Sequence, residues 1–291
     1  MKVILSRKGF DASAGGVASP IFPDGRIVSL PIPDPNGTVR YDELTWESVA
    51  LGPLVESLTR GRISRGATAH LDPDIYTTLY PHRPDWRPLF GQDGAAQSHL
   101  VNQGVAEGDL FLFFGWFRQV EANGDGYRFV RNAPDQHLLY GWLQVGEVWS
   151  GGEWWQTAPS WARYHPHCRA GYTVRNTLYC AAPQLTLPGA HLLLGGAGVF
   201  THYHGQRVLT APGRKRAEWR LPRWFYPHNG RPPLSYHSDR TRWTLADDFV
   251  HLRSAHRGQE FVLDTTAYPE ALPWLSDLLQ HSTQSRLVQW D

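Results

Sequence analysis

The chain has 291 residues, 41% of them hydrophobic, and a formal net charge of +1 at neutral pH. This length allows a substantial buried core, and the small net charge excludes a global electrostatic attraction to nucleic acid. No segment reaches the roughly eighteen consecutive apolar residues of a membrane span, and the N-terminus lacks the apolar stretch of a signal peptide. We therefore expect a cytoplasmic protein without a membrane partner, built from short strands because 28 Gly and 22 Pro are spread throughout.

The first elements are a short strand at residues 2–5 and a polar loop at 6–16. Arg7, Lys8 and Asp11 lie in this loop among glycines and serines, a composition that can turn cations and backbone N–H groups toward a phosphate. The spacing is not that of a P-loop, and a solvated turn with an Arg–Asp pair is the alternative. Further on, an Asp-Gly turn predicts an edge hairpin over 20–33, and a short helix is expected from Pro53.

The segment His70-Leu-Asp-Pro-Asp74 holds one imidazole and two carboxylates within five residues. His70, Asp72 and Asp74 could therefore supply metal ligands or act in acid–base catalysis, since carboxylates can hold a hard cation or orient an imidazole. His99 lies in a polar run just before the next strand. An Asp-Pro-Asp turn that caps its own backbone is the simpler interpretation.

Two aromatic, β-branched runs at 108–118 and 137–148 predict the central pair of strands, with a turn at Asn123-Gly-Asp-Gly126 between them. Five of their side chains could form an aromatic and cationic wall that stacks a base and reads its edge. These are Trp116, Arg118, His137, Tyr140 and Trp142. The alternative is that the tryptophans only fill the protein interior.

After this hairpin, residues 149–161 contain four Trp, and we expect this loop to cover the central sheet or barrel. The sequence His165-Pro-His167-Cys168 groups potential ligands, but no further ligands follow at a zinc-site spacing, so no metal site is predicted. Later strands are expected at 177–182, 191–194, 198–200 and 258–264, and a helix at 269–279.

The segment from residue 207 to 257 is basic, with eleven Lys and Arg against four acids. Within it, basic residues alternate with aromatic ones, a combination suited to backbone phosphates and stacked bases. The phosphate-binding candidates are Arg214, Lys215, Arg216, Arg220 and Arg223. A solvated basic face with inward-packed aromatics is the alternative.

Together these elements predict a strand-rich, mixed α/β fold with a central curved sheet or a small PUA-like β-barrel and short peripheral helices. No repeat or long linker divides the chain. We expect one compact domain over 1–291, with the core at about 98–200 and a basic, aromatic-rich elaboration at about 201–291.

Several of these motifs together resemble the third nucleotide modification associated domain family over nearly the whole chain. They are Ser6-Arg-Lys-Gly-Phe-Asp11, Leu30-Pro-Ile-Pro33, His70-Leu-Asp-Pro-Asp74, the Gly108 to Arg118 run and Gly141-Trp-Leu-Gln-Val145. The resemblance implies a place in bacterial or phage systems that handle modified DNA bases, including phage defence, but no biochemical activity. The central strands are also similar to those of PUA-like and EVE-type domains, which hold a flipped base.

The sequence therefore predicts a protein that recognises a modified base or nucleotide, with nucleic acid or a nucleotide as ligand and proteins of a DNA-modification system as possible partners. One alternative is an enzyme, such as a transferase, glycosidase or hydrolase, and another is a non-catalytic subunit. The sequence identifies no cofactor. Convergence of the Arg7–Asp11 loop, the His70–Asp74 turn and His99 in one cleft would favour the enzyme.

Overall fold

A computed structural model describes residues 1–255 and 259–280, which contain seventeen strands and three α-helices. The strands are β1 (Lys2–Arg7), β2 (Ser19–Ile21), β3 (Ile32–Pro33), β4 (Val39–Arg40), β5 (Thr45–Trp46), β6 (Val49–Ala50), β7 (Thr68–His70), β8 (Leu89–Gln92), β9 (Leu110–Asn123), β10 (Gly126–Phe129), β11 (Gln136–Ser150), β12 (Thr177–Ala181), β13 (Ala197–Val199), β14 (Glu218–Pro222), β15 (Trp243–Leu245), β16 (Phe249–Arg253) and β17 (Glu260–Asp264). The helices are α1 (Leu51–Leu58), α2 (Gly94–Asn102) and α3 (Ala271–Gln280).

The main sheet has nine strands, with β17-β1-β9-β11-β12-β8 as its central order. β1 and β2 run parallel to β9 and the other pairings are antiparallel, so the sheet is mixed. A strand-rich, mixed α/β fold with a central sheet is therefore confirmed. Within the described residues the sheet does not close into a barrel.

The two faces of this sheet carry different side chains because successive residues of a strand point to opposite sides. On one face, Phe90 packs against Phe111 and Phe113 with ring centroids 4.9 and 5.2 Å apart. On the other, Trp219 packs edge-on against Phe114 at 5.2 Å. We call these the Phe113 face and the Phe114 face.

The central strands pair as expected, since β11 lies antiparallel to β9 from Gln136 opposite Phe117 to Gln144 opposite Leu110. The turn predicted at 123–126 is confirmed, but it connects β9 to the short β10 and not directly to β11. A bulge between Leu139 and Gly141 shifts the register of β11.

Several other elements differ from expectation. The chain does reverse at Asp24-Gly25, with an antiparallel bridge between Ile21 and Ile27, but the segment 20–33 is not a surface element, because Val28 and Leu30 are fully buried. Residues 191–194 form no strand, and the helix α2 was not predicted. The Trp-rich loop does not cover a barrel mouth, because Trp149 and Trp161 pack on a small cluster of their own.

The predicted helices near Pro53 and at the C-terminal end are confirmed as α1 and α3. Both bury an apolar stripe, such as Leu275 and Leu279 of α3, against the core. In the described part of the chain, no helix has the length and apolarity to cross a bilayer.

A buried histidine and aspartate centre

Asp72 is the centre of a cluster of imidazoles beside β8, the edge strand of the main sheet. It follows β7, and its Oδ1 accepts a hydrogen bond of 2.7 Å from the backbone N–H of Gly91 in β8. His165 Nε2 lies 3.3 Å from Oδ1, while His70 Nε2 and His167 Nε2 each lie 3.9 Å from Oδ2. Three imidazoles therefore surround one buried carboxylate.

The pKa of Asp72 reflects two opposed effects. Burial favours the neutral acid, but the contact with His165 and the charges of His167 and His70 lower the pKa to about 2. Burial also lowers the pKa of His167 to about 4. At neutral pH the centre thus combines a carboxylate with a neutral His167.

A hydrogen-bond pair fixes the tautomer of His167. Asn176 Nδ2 donates to the backbone carbonyl of His167 at 2.8 Å, so its Oδ1 must accept from His167 Nδ1 at 2.7 Å. The proton therefore lies on Nδ1, and the lone pair of Nε2 points toward Asp72.

His70 is held in the same way by a second carboxylate. Its Nδ1 lies 3.2 Å from Asp34 Oδ2, which also accepts from Arg169 Nη2 at 2.7 Å. His70 and Arg169 lower the pKa of Asp34 below its usual range, although burial opposes this. The contact with Asp34 orients the His70 ring so that its Nε2 faces Asp72.

The centre is reached from the His70 side. The His70 side chain is 16% exposed, whereas that of His165 is fully buried. Tyr172 stacks on His167 with centroids 4.4 Å apart, and the Arg169 guanidinium lies 5.7 Å from the Tyr172 ring centroid. A partly exposed cation and aromatic ring therefore border the entrance.

Beside Asp72 is a small cavity of about 10 Å³, room for roughly one water molecule. Gly9 of the N-terminal loop, Ser29, Asp72 and Tyr140 are among the residues that line it. Buried Tyr140 Oη and His165 Nε2 have no hydrogen-bond partner among the described residues. Unsatisfied polar atoms are costly in a core, so they mark this region as a candidate functional site.

A buried ion pair lies on the Phe113 face. Lys8 Nζ lies 2.8 Å from Glu260 Oε1 and 4.7 Å from the ring centroid of Phe90. Gln92 Nε2 donates to the same Glu260 oxygen at 2.5 Å. Within the described chain, Glu260 Oε2 and the neighbouring Ser6 hydroxyl lack a hydrogen-bond partner although both are buried.

The structure thus brings together only some of the residues predicted for catalysis. His70 and Asp72 meet, and Gly9 carries the Lys8 loop to the same cavity. Asp11 instead accepts three hydrogen bonds within its own turn. Asp74 is fully buried and bound to other partners, namely His82, Trp86 and Tyr164.

Arg7 and His99 also lie away from Asp72. Arg7 follows Ser6 in β1, so it projects toward the Phe114 face, where its charge helps to lower the pKa of buried His137. His99 Nε2 lies 2.9 Å from Ser235 Oγ. Arg7 and His99 are therefore not part of the Asp72 centre, and their catalytic roles stay predictions.

The expected aromatic wall is not assembled, because three of its five members, His137, Tyr140 and Trp142, are buried. Tyr140 packs on Phe117 at 5.9 Å, and Trp142 packs on Phe200 at 5.2 Å on the other face of the sheet. Trp142 Nε1 donates to the Gly195 carbonyl. Tyr140 and Trp142 thus fit the alternative interpretation, in which the aromatic residues fill the protein interior.

The remaining members also have internal partners. His137 Nδ1 accepts a hydrogen bond from Trp219 Nε1 at 2.9 Å, and Trp116 Nε1 donates to Asp135 Oδ1 at 2.8 Å. Arg118 donates to the Val130 carbonyl. Base binding by these residues stays a prediction.

A separate cleft of about 780 Å³ lies by β14, β16 and α3. Its lining includes Arg214, Arg220, Phe249 and Trp274, and the Arg220 guanidinium lies 4.3 Å from the Phe249 ring centroid. Because β14 carries Trp219 against Phe114, the cleft belongs to the Phe114 side. Its lining shares no residue with that of the cavity beside Asp72.

The other three phosphate-binding candidates do not line this cleft. Lys215 is exposed beside it. Arg216 lies over the Trp116 ring at 4.1 Å, and Arg223 donates to the carbonyls of Ala246 and Asp247.

Sequence reasoning missed His165 and His167 as partners of Asp72. The two histidines lie close together in the sequence, but no further ligands follow them at a zinc-site spacing. The residues that meet them, His70 and Asp72, come from a turn much earlier in the chain. The donor atoms of His70, Asp72 and His167 lie within 4.8 Å of one another, a set that could hold a metal ion. Nothing in the spacing indicated Asp34 or Asn176.

These features define a strand-rich α/β protein with a buried His–Asp centre beside an edge strand of its sheet. The family model of nucleotide modification associated domain 3 matches residues 2–264, and the chain belongs to this family. The family assignment is thereby confirmed and supports a role related to DNA modification. Searches of curated proteins and of solved structures found no significant match.

Proposed function

We propose that this protein is an enzyme that acts on a nucleotide or modified base, with the Asp72 centre as its reaction site. The observation that carries the proposal is the carboxylate of Asp72 surrounded by His70, His165 and His167. Such a group of acids and bases is more than a binding pocket needs, and it is suited to proton transfer during hydrolysis or group transfer.

The entrance supports a nucleotide as substrate. Arg169 can neutralise phosphate charge, and the Tyr172 ring offers a partly exposed surface for a planar base. The family's link to nucleotide modification points to the same class of substrate. The cavity beside Asp72 holds only about one water, so the substrate must approach from the His70 side.

The test is product formation. The full chain is incubated with mononucleotides and with short DNA that carries ordinary or modified cytosine and guanine, with and without divalent cations, and product mass is followed. Asp72→Asn should lower the rate by about 100-fold or more, the range expected for loss of an acid–base group. The matched control is Asp125→Asn in the exposed turn before β10, which should keep the wild-type rate. Wild-type protein without any product, or an unchanged rate in Asp72→Asn, would contradict the proposal.

Recognition of a base or nucleotide without chemistry is a second candidate function, favoured by the 780 Å³ cleft. Its volume is in the range of small-ligand sites, and its lining pairs Arg214 and Arg220 with aromatic rings. Retention of DNA without product, lost in Arg220→Ala but kept in Asp72→Asn, would favour this function over the enzyme.

A further inference from the structure

We infer that His70 Nε2, His167 Nε2 and Asp72 Oδ2 bind one divalent transition-metal ion of the zinc or iron(II) class. This inference rests on the proposed function for its chemistry, since the ion would lie at the proposed reaction site. The sequence offered His70 and Asp72 as possible metal ligands but did not join them with His167.

The donor atoms are arranged as the ligands of one ion require. Each imidazole nitrogen lies 3.9 Å from Asp72 Oδ2, and all three atoms lie within 4.8 Å of one another. Bonds of about 2.1 Å in a tetrahedral site place ligands about 3.4 Å apart, so movements of about 1 Å would close the set around a metal.

The hydrogen bonds behind the ligands match those of metal-binding histidines. Such imidazoles usually donate their second ring N–H to a carboxylate or carbonyl, which fixes the tautomer and raises basicity. Here Asp34 accepts from His70 Nδ1 and Asn176 accepts from His167 Nδ1. Both Nε2 atoms are thereby directed at the space beside Asp72.

His165 gives an independent indication. It is 1% exposed, and within the described residues its Nε2 has no hydrogen-bond partner although it lies 3.3 Å from Asp72 Oδ1. A buried polar atom of this kind calls for a ligand or an ordered water at the centre. With a metal on the Oδ2 side, His165 can hold the second carboxylate oxygen or a metal-bound water.

The ligand set also selects the kind of metal. Two imidazoles and one carboxylate suit zinc and iron(II), whereas magnesium and calcium prefer oxygen ligands alone. Three protein ligands leave at least one coordination position for water or substrate, as in catalytic sites. The partial exposure of His70 provides the side from which that position is reached.

The test uses untagged full-length protein, since a histidine tag binds metal. Metal content is measured by mass spectrometry after dialysis, and chelator-treated protein is titrated with Co²⁺, followed by its visible absorption, and then with Zn²⁺ in competition. We expect about one equivalent per chain and an absorption typical of mixed nitrogen and oxygen ligands. Less than about a tenth of an equivalent in wild-type protein would overturn the inference, and this result needs no variant.

The variants assign the ligands. His70→Ala and His167→Gln should each weaken affinity by at least about 100-fold, and Asn176→Ala, which acts through His167, by about 10-fold. His191→Ala, at an exposed histidine, should bind like wild type. Circular dichroism and urea unfolding of the metal-free variants show whether each is folded. A full equivalent bound with unchanged affinity by folded His70→Ala or His167→Gln would reject the assignment.

Metal content and product formation are separate measurements. Stoichiometric metal binding without turnover would refute the proposed enzyme and leave the metal site. Turnover by wild-type protein that binds less than about a tenth of an equivalent of metal would overturn the metal site and leave the proposed enzyme.

Discussion

A β-carbon at position 91 would lie 2.2 Å from Cδ2 of His167, so only glycine lets this imidazole lie against β8. The same Gly91 donates its N–H to Asp72 Oδ1. One residue therefore positions both the carboxylate and an imidazole of the centre.

Gly91→Ala should displace the His167 ring, because the contacted atoms are in a buried ring that packs between β8 and Tyr172. We expect a loss of unfolding free energy of about 1 to 3 kcal/mol, the usual cost of overpacking, and a metal affinity lower by at least about tenfold. Urea unfolding and the Co²⁺ titration measure the two effects.

Gly205→Ala is the matched control for stability, since a β-carbon there meets no atom within 4 Å. It should change the unfolding free energy by less than about 0.5 kcal/mol. If Gly91→Ala changed the unfolding free energy as little as this control and bound metal with wild-type affinity, the close packing of His167 against β8 would determine neither stability nor metal binding.

The low pKa of His167 predicts that metal-free protein loses stability in mild acid. In the unfolded chain this imidazole binds its proton near pH 6.5, but in the folded chain only near pH 4. Between these values the unfolded state binds more protons, so stability falls as pH falls. A shift of this size corresponds to roughly 2 to 3 kcal/mol.

The measurement compares urea unfolding of wild-type protein and His167→Gln, with chelator present, from pH 7 to pH 4. The wild-type loss should exceed that of the variant by about the same 2 to 3 kcal/mol. Asp72 acts at lower pH, since its lowered pKa gives stability that is lost as pH falls toward about 2. Parallel pH profiles for the two proteins would mean that His167 is readily protonated when folded.

The sequence predicted those elements of the fold that depend on neighbouring residues, and it did not predict those that depend on contacts between distant segments. The β9–β11 pair follows from alternating apolar runs, and α1 and α3 follow from helical spacing, because short-range pattern governs both. The turn at 123–126 was recognised as a turn, but which strand it leads to depends on the tertiary pairing of β10 with β9.

The site was half predictable for the same reason. His70 and Asp72 were noticed because they lie in one short motif, and His165 and His167 because they lie in another. Their meeting depends on β8 bringing Gly91 between the two segments, which no spacing reveals. The burial of Tyr140 was also unpredictable, since aromatic residues in a strand fit a core and a binding wall equally well.

Lys8→Met should destabilise the protein, because it leaves the carboxylate of Glu260 buried without its cation. Glu260 is fully buried, and among the described residues its side chain would keep the hydrogen bond from Gln92. Removal of one partner of such a pair costs about 3 kcal/mol, somewhat less here since Lys8 is partly exposed. The double variant Lys8→Met/Glu260→Gln should recover part of the loss, as measured by urea unfolding.

An exposed ion pair serves as the comparison. Arg128 and Glu121 pair on the surface between β10 and β9, and Arg128→Ala should cost less than about 1 kcal/mol. Two results would contradict a special cost of leaving buried Glu260 without its cation. One is an equal loss of unfolding free energy in Lys8→Met and Arg128→Ala, and the other is no recovery of unfolding free energy in the double variant.

The basic cleft makes a prediction about salt. If Arg220 contacts a phosphate there, Arg220→Ala should weaken binding of a short single-stranded DNA and reduce the slope of log affinity against log salt concentration by about 0.7. Arg128→Ala removes an exposed arginine that lies outside the cleft lining and should leave the slope unchanged. Fluorescence anisotropy from low to moderate salt measures both slopes. An equal decrease in the two variants would indicate general attraction to positive charge, because a local contact at the cleft would be lost only with Arg220.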